Sequence, residues 1–196
     1  MILRKADVPS EVDSGYAWLR LLASVLLSTI GGVGMWSIAV VLPSIQADFG
    51  VARAEISLAY TAVMLGAVLG GPVMGWLSER FGIAVPLAAG AAMLALGLVL
   101  ASQAANIWQF TLAHGLLIGV GTSASFGPVI ADISLWFALR RGMAVAICSS
   151  GSYLAGTIWP LVIQPLAQSV GWRQTYVGIA IFCLLHGGCI YNTGAK

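Results

Sequence analysis

Asp132 is the one carboxylate set inside an apolar run of this 196-residue chain. An acid in such surroundings is costly and normally paired, so a partner is expected among Arg80, Arg140 and Arg141, the arginines assigned to the same membrane face. Those charges would form a gate at that face; a charge snorkelling to the interface, or a proton-coupling site, are the other readings of Asp132. A second charged group lies in Gly75-Trp76-Leu77-Ser78-Glu79-Arg80-Phe81-Gly82, where a carboxylate and a guanidinium share a short loop with tightly turning glycines. Taken alone, Glu79 and Arg80 are a solvated pair worth at most about 1 kcal/mol.

Uncharged groups offer different chemistry. Trp36, Trp159 and Tyr153, with Ser123 and Ser125, would give aromatic walls carrying a few hydroxyl and indole donors, which suits a small organic anion. The same aromatics serve equally well as interhelical packing. His114 and His186 lie in apolar runs, and neither has metal-ligand spacing to a second His, Cys or carboxylate. Cys148, Cys183 and Cys189 read as small buried hydrophobes rather than a disulfide or metal framework. No cofactor or metal is expected, and a net charge of +2 gives no argument for nucleic acid.

The elements that must position these groups follow from composition. With 59% hydrophobic residues, 8% charged and a mean hydropathy of +0.94, the chain has no means of covering a water-facing surface. Crossing a bilayer takes about 20 mostly apolar residues. Six segments qualify, near 18–43, 54–77, 84–103, 108–136, 142–167 and 174–192, predicting an all-α membrane protein with a 17–192 bundle, a 1–16 cytosolic segment and a 193–196 tail. The first sixteen residues are charged, without the apolar core of a cleavable signal, which predicts a cytosolic N-terminus.

With that orientation, Arg4, Lys5, Arg20, Arg80, Arg140, Arg141 and Lys196 face the cytosol and Arg53 and Arg173 the other side, in keeping with the positive-inside rule. Trp18, Trp76, Trp108, Trp136 and Trp172 fall at span ends, where indoles favour the interface. Gly66 with Gly70, Gly71 with Gly75, and Gly115 with Gly119 are pairs at the spacing that lets membrane helices pack backbone to backbone.

Three further segments share a pattern with the 75–82 loop: Phe49-Gly50-Val51-Ala52-Arg53-Ala54-Glu55-Ile56-Ser57, Trp136-Phe137-Ala138-Leu139-Arg140-Arg141-Gly142-Met143-Ala144, and Gly171-Trp172-Arg173. Together they resemble the monocarboxylate-transporter-like branch of the major facilitator superfamily, near its oxalate/formate-exchanger relatives, over about residues 17–192. The resemblance implies the N-terminal half of a twelve-helix bundle in a plasma or inner membrane, moving a small monocarboxylate-like anion by alternating access, as symporter or antiporter. It implies a cytosolic gate built from Gly75, Glu79, Arg80, Gly82, Asp132, Arg140 and Arg141, with Glu79 facing the positive end of a helix in the missing half and Arg80 pairing within this one. It places the first and fourth helices on the pathway, with His114, and the third and sixth against lipid, making His186 a peripheral, hydrogen-bonded histidine. The loop departs from the family pattern in carrying Glu79 for the usual Asp, and Ile83 and Ala84 where basic residues are usual. With the chain ending soon after its sixth span, a truncated transporter is expected, completed by the missing C-terminal half.

Two other classes compete. Six helices with Ser123 in the fourth and His186 in the sixth resemble the plan of rhomboid intramembrane proteases, where a Ser and His dyad activates a hydroxyl; no second-helix histidine and asparagine accompany them, and the charged loops stay unexplained. Alternatively, two copies of the half could associate through glycine faces.

Overall fold

The structure is a computed structural model that describes residues 14–194, without the side chains of Arg53 and of residues 187–194. Arg4, Lys5 and Lys196, and the side chain of Cys189, lie outside what it describes. Its elements are α1 (Gly15–Gly31), α2 (Val33–Phe49), α3 (Arg53–Phe81), α4 (Ala84–Ser102), α5 (Ile107–Leu112), a π-helical segment (Ala113–Gly119), α6 (Val120–Ser123), α7 (Gly127–Trp136), α8 (Arg141–Val170) and α9 (Trp172–Gly194). α1 continues into α2 as one bent helix, and α5 to α7 as another, leaving six helices that run alternately up and down. Gly15–Phe49, Ala54–Phe81, Ala84–Ser102, Ile107–Trp136 and Arg141–Val170 are long and apolar enough to cross a membrane. The sixth, α9, is 23 residues long and packs along α4. This is the six-helix, all-α membrane architecture expected from hydropathy, and lipid demands it because helices satisfy their backbone groups internally.

Local chemistry sets the ends. Gly50 and Gly82 stop α2 and α3 at φ 63° and 80°, where a side chain would be strained. Asn106 Oδ1 accepts from the Gln109 amide at 2.9 Å to open α5, and Glu55 accepts from the Ala52 amide at 2.9 Å to open α3.

Two apolar clusters form the core. One, around Ile38, Leu98, Phe110 and Tyr176, lies toward the Arg173 end; the other, around Leu21, Leu87, Ile133 and Phe137, lies toward the Arg20 end. A glycine seam joins α3 to the fourth helix. A Cβ at Gly66 would overlap the Gly115 carbonyl, and one at Gly119 would press on Val63 and Gly66. Gly71 and Gly75 face open space instead, so that pair packs on nothing within the described chain.

Candidate functional site

A cavity of about 420 Å³ opens at the level where α1 meets α2. Four helices wall it: the first through Ser28, Gly32 and Trp36, α3 through Gly71, the fourth through Ser123, Ser125 and Phe126, and α8 through Ser149, Ser152 and Tyr153. Among the described residues α4 and α9 contribute nothing, and none of the lining residues is charged.

The breaks in two helices build this wall. Ser28 Oγ donates to the Ser125 carbonyl at 3.1 Å, where the fourth helix is interrupted between α6 and α7. Thr29 Oγ1 donates to the Gly151 carbonyl at 3.1 Å, tying the end of α1 to α8. Trp36 Nε1 donates to the Ser152 carbonyl at 3.2 Å, and its ring rests on Gly156, where a Cβ would strike it.

Those bonds decide which hydroxyls remain available. Ser123 donates to the Val120 carbonyl at 2.6 Å, Thr122 to that of Ile118 at 2.7 Å and Ser149 to that of Val145 at 2.9 Å, each within its own helix. The Ser125, Ser152 and Tyr153 hydroxyls carry no such bond, and Tyr153 stands 77% exposed at the rim. A ligand here meets aromatic surface and three free donors, with no fixed charge.

Of the residues expected to line a pathway, the structure brings Trp36, Ser123, Ser125 and Tyr153 to this cavity and leaves two elsewhere. Trp159 Nε1 donates to the Thr29 carbonyl at 2.8 Å, and the ring lies in a groove between α8 and α9. His114 is fully buried, with Nδ1 3.3 Å from the Phe110 carbonyl and Nε2 3.3 Å from the Tyr176 hydroxyl. A carbonyl can only accept, so Nδ1 carries the proton and Nε2 accepts from Tyr176. His186 also departs from expectation: its Nε2 is buried with no protein partner. Ser123 and His186 do not bond to one another, so the protease-like dyad is not formed.

The charged residues are redistributed in the same way. Asp132 is held by Arg20, through Nε and Nη2 at 3.1 Å each, not by Arg80, Arg140 or Arg141. The Arg20 guanidinium also covers the Trp136 ring at 4.5 Å, which fixes it between α1 and α7. Arg80 and Glu79 are exposed, and Arg80 lies over Trp76 and Phe81 rather than in an ion pair. Arg141 reaches Ser134 Oγ at 3.1 Å, and Arg140 is exposed. Gly75 lies open on α3, one turn before these charges. At the opposite end, Arg173 joins Asp48 at 2.9 Å and donates to the Ser102 and Ala104 carbonyls at 2.8 and 3.0 Å. Sequence reasoning missed Arg20, Ser152 and this second pair; the one available sign was an arginine a single turn inside the first apolar run.

Comparison with known proteins gives a consistent answer. A family profile described as the Major Facilitator Superfamily matches residues 24–191. Monocarboxylate transporter 6 of Mus musculus is 29% identical over 92% of this chain and 39% of its own length; that of Homo sapiens is 31% identical over 92% and 36%. The chain thus spans well under half the length of these relatives. Among solved structures, the proton:xylose symporter XylE superposes with a TM-score of 0.77 at 18% identity, covering 92% of this chain and 45% of that one, which speaks to fold alone.

Proposed function

The chain belongs to the Major Facilitator Superfamily, and from that premise we propose that it supplies one six-helix half of a transporter carrying a small, monocarboxylate-like organic anion by alternating access. One observation carries the substrate class: the large cavity offers the Ser125, Ser152 and Tyr153 hydroxyls and the Trp36 face, with no acidic group to repel an anion. The similarity to monocarboxylate transporter 6 supports the same reading. Because the cavity carries no cation, a charge for the substrate comes from the other half. The open Gly71 and Gly75 face on α3 is where that half, or a second copy, packs.

The Arg20 end is cytosolic in this reading, in a plasma or inner membrane, since Arg20, Arg80, Arg140 and Arg141 gather there. Glu79 is then free to meet the positive end of a helix in the other half, closing that side. Asp132 contributes through Arg20, holding the first and fourth helices together as the halves rock.

Uptake of radiolabelled lactate into proteoliposomes carrying the product of the full coding region tests the reading. Saturable uptake, reduced about tenfold or more by Trp36→Ala, is expected, a loss of about 1.4 kcal/mol in binding. Uptake that fails to saturate for any monocarboxylate tried removes the substrate class.

A further inference from the structure

Between α1, α4 and α9, beside the break in the fourth helix, lies a second cavity of about 20 Å³. A water needs roughly 10–15 Å³ and two to four polar partners, so this space takes one. Leu87, Ala91 and Gly31 give it apolar walls, and its polar groups are His186 and Ser125, with the Cys183 thiol as a weak third. His186 Nε2 is the one buried side-chain nitrogen or oxygen without a partner among the described residues. Interiors leave few such atoms, and each calls for a bound group. Ser125 turns its Cβ and Oγ against Gly31, and its hydroxyl takes part in no protein hydrogen bond. Ser125 also lines the large cavity, so this residue stands between the two spaces. No charged group lines the small cavity, which disfavours an ion, and a hydrocarbon chain would leave Nε2 unpaired.

We propose that this cavity binds a single water that donates one O–H to His186 Nε2 and the other to Ser125 Oγ, leaving the Ser125 proton to donate into the large cavity. With its own proton on Nδ1, the His186 ring offers Nε2 as the acceptor this requires. His186 is then a positioning residue: it touches no substrate and sets, through water, the direction of a hydroxyl that does. The water site stands on the small cavity alone, while the use made of the Ser125 proton rests on the anion reading above.

The chain has two histidines, His114 and His186. ¹⁵N-histidine labelling of the whole protein in lipid nanodiscs therefore gives two imidazoles to follow by NMR. Magnetisation transfer from water to the His186 ring is expected, with Nε2 resonating as a hydrogen-bonded acceptor, while His114, enclosed by Phe110 and Tyr176, shows none. Ser125→Val, which removes the hydroxyl while keeping the wall between the two spaces filled, should abolish the transfer and shift Nε2 toward an unbonded acceptor, with His114 signals unchanged as the sign of an intact bundle. If that variant disturbs His114 too, Leu87→Phe, which fills the cavity from the opposite wall, is read instead and should expel the water. A His186 ring without water contact, or a contact that survives the informative variant, overturns the proposal. A water signature present while lactate moves neither resonance nor tracer would sink only the anion reading.

Discussion

Arg20 grips Asp132 with two parallel N–H···O bonds of 3.1 Å, across a separation of more than a hundred residues, and stacks on Trp136 as it does so. Asp132→Asn or Arg20→Ala strands the remaining charge in a half-buried site and should destabilise the bundle by about 2 kcal/mol, read as denaturant midpoint in mixed micelles. Arg80→Ala, in an exposed loop, should stay within about 0.5 kcal/mol of the parent. Equal losses from Arg80→Ala and Arg20→Ala would refute the assignment.

The cavity separates two tryptophans that look alike in sequence. Trp36→Phe loses a bond to the Ser152 carbonyl inside the cavity, whereas Trp159→Phe loses one to the Thr29 carbonyl outside it. Each should cost about 1 kcal/mol of stability, but only Trp36→Phe should change lactate affinity. Equilibrium binding followed by tryptophan fluorescence distinguishes them.

Glycines on the two faces of α3 should respond in opposite ways. Gly66→Ala forces a methyl onto the Gly115 carbonyl and should cost about 1–3 kcal/mol of stability. In this six-helix chain alone, Gly71→Ala meets open space and should leave folding within about 0.5 kcal/mol, while trimming the cavity it lines. Thermal unfolding of the two variants in one detergent settles the comparison.

Arg173 serves four acceptor contacts with one planar head: two to Asp48 and one each to the Ser102 and Ala104 carbonyls. Lysine keeps the charge but lacks the fork, so Arg173→Lys should lose about 1 kcal/mol, modest because both ion-pair side chains are about two-fifths exposed. High salt should weaken the parent and leave Arg173→Ala nearly unaffected, since only the parent retains the ion pair.

Hydropathy made the six helices legible, because lipid admits few alternatives for an apolar run. What it does not carry is the angle at which a residue leaves its helix. Trp36 and Trp159 are both mid-run aromatics, and only packing decides that one looks into the cavity and the other into a groove. Asp132 announced that it needed a partner, yet the nearby loop arginines were as plausible by depth as Arg20; helix rotation chose. The small-residue spacing at Gly66, Gly70, Gly115 and Gly119 signalled close approach without saying which pairs would meet. The interruption at Ala124–Phe126 had its sign just beyond it, since Pro128 has no N–H for the Ala124 carbonyl and crowds it, so that Gly127-Pro128 opens α7 rather than continuing α6, and the break frees the carbonyl that Ser28 holds.

At the Gly66 and Gly115 crossing, two membrane helices meet with no side chain between them. Contacts made of side chains yield by changing rotamers; contacts made of backbone have no such slack. The second and fourth helices therefore meet along this joint with no side-chain rotamers to repack. Flexing within this half is then left to the interruptions near Gly32 and at Ala124–Phe126, whose Gly32, Ser125 and Phe126 also line the cavity.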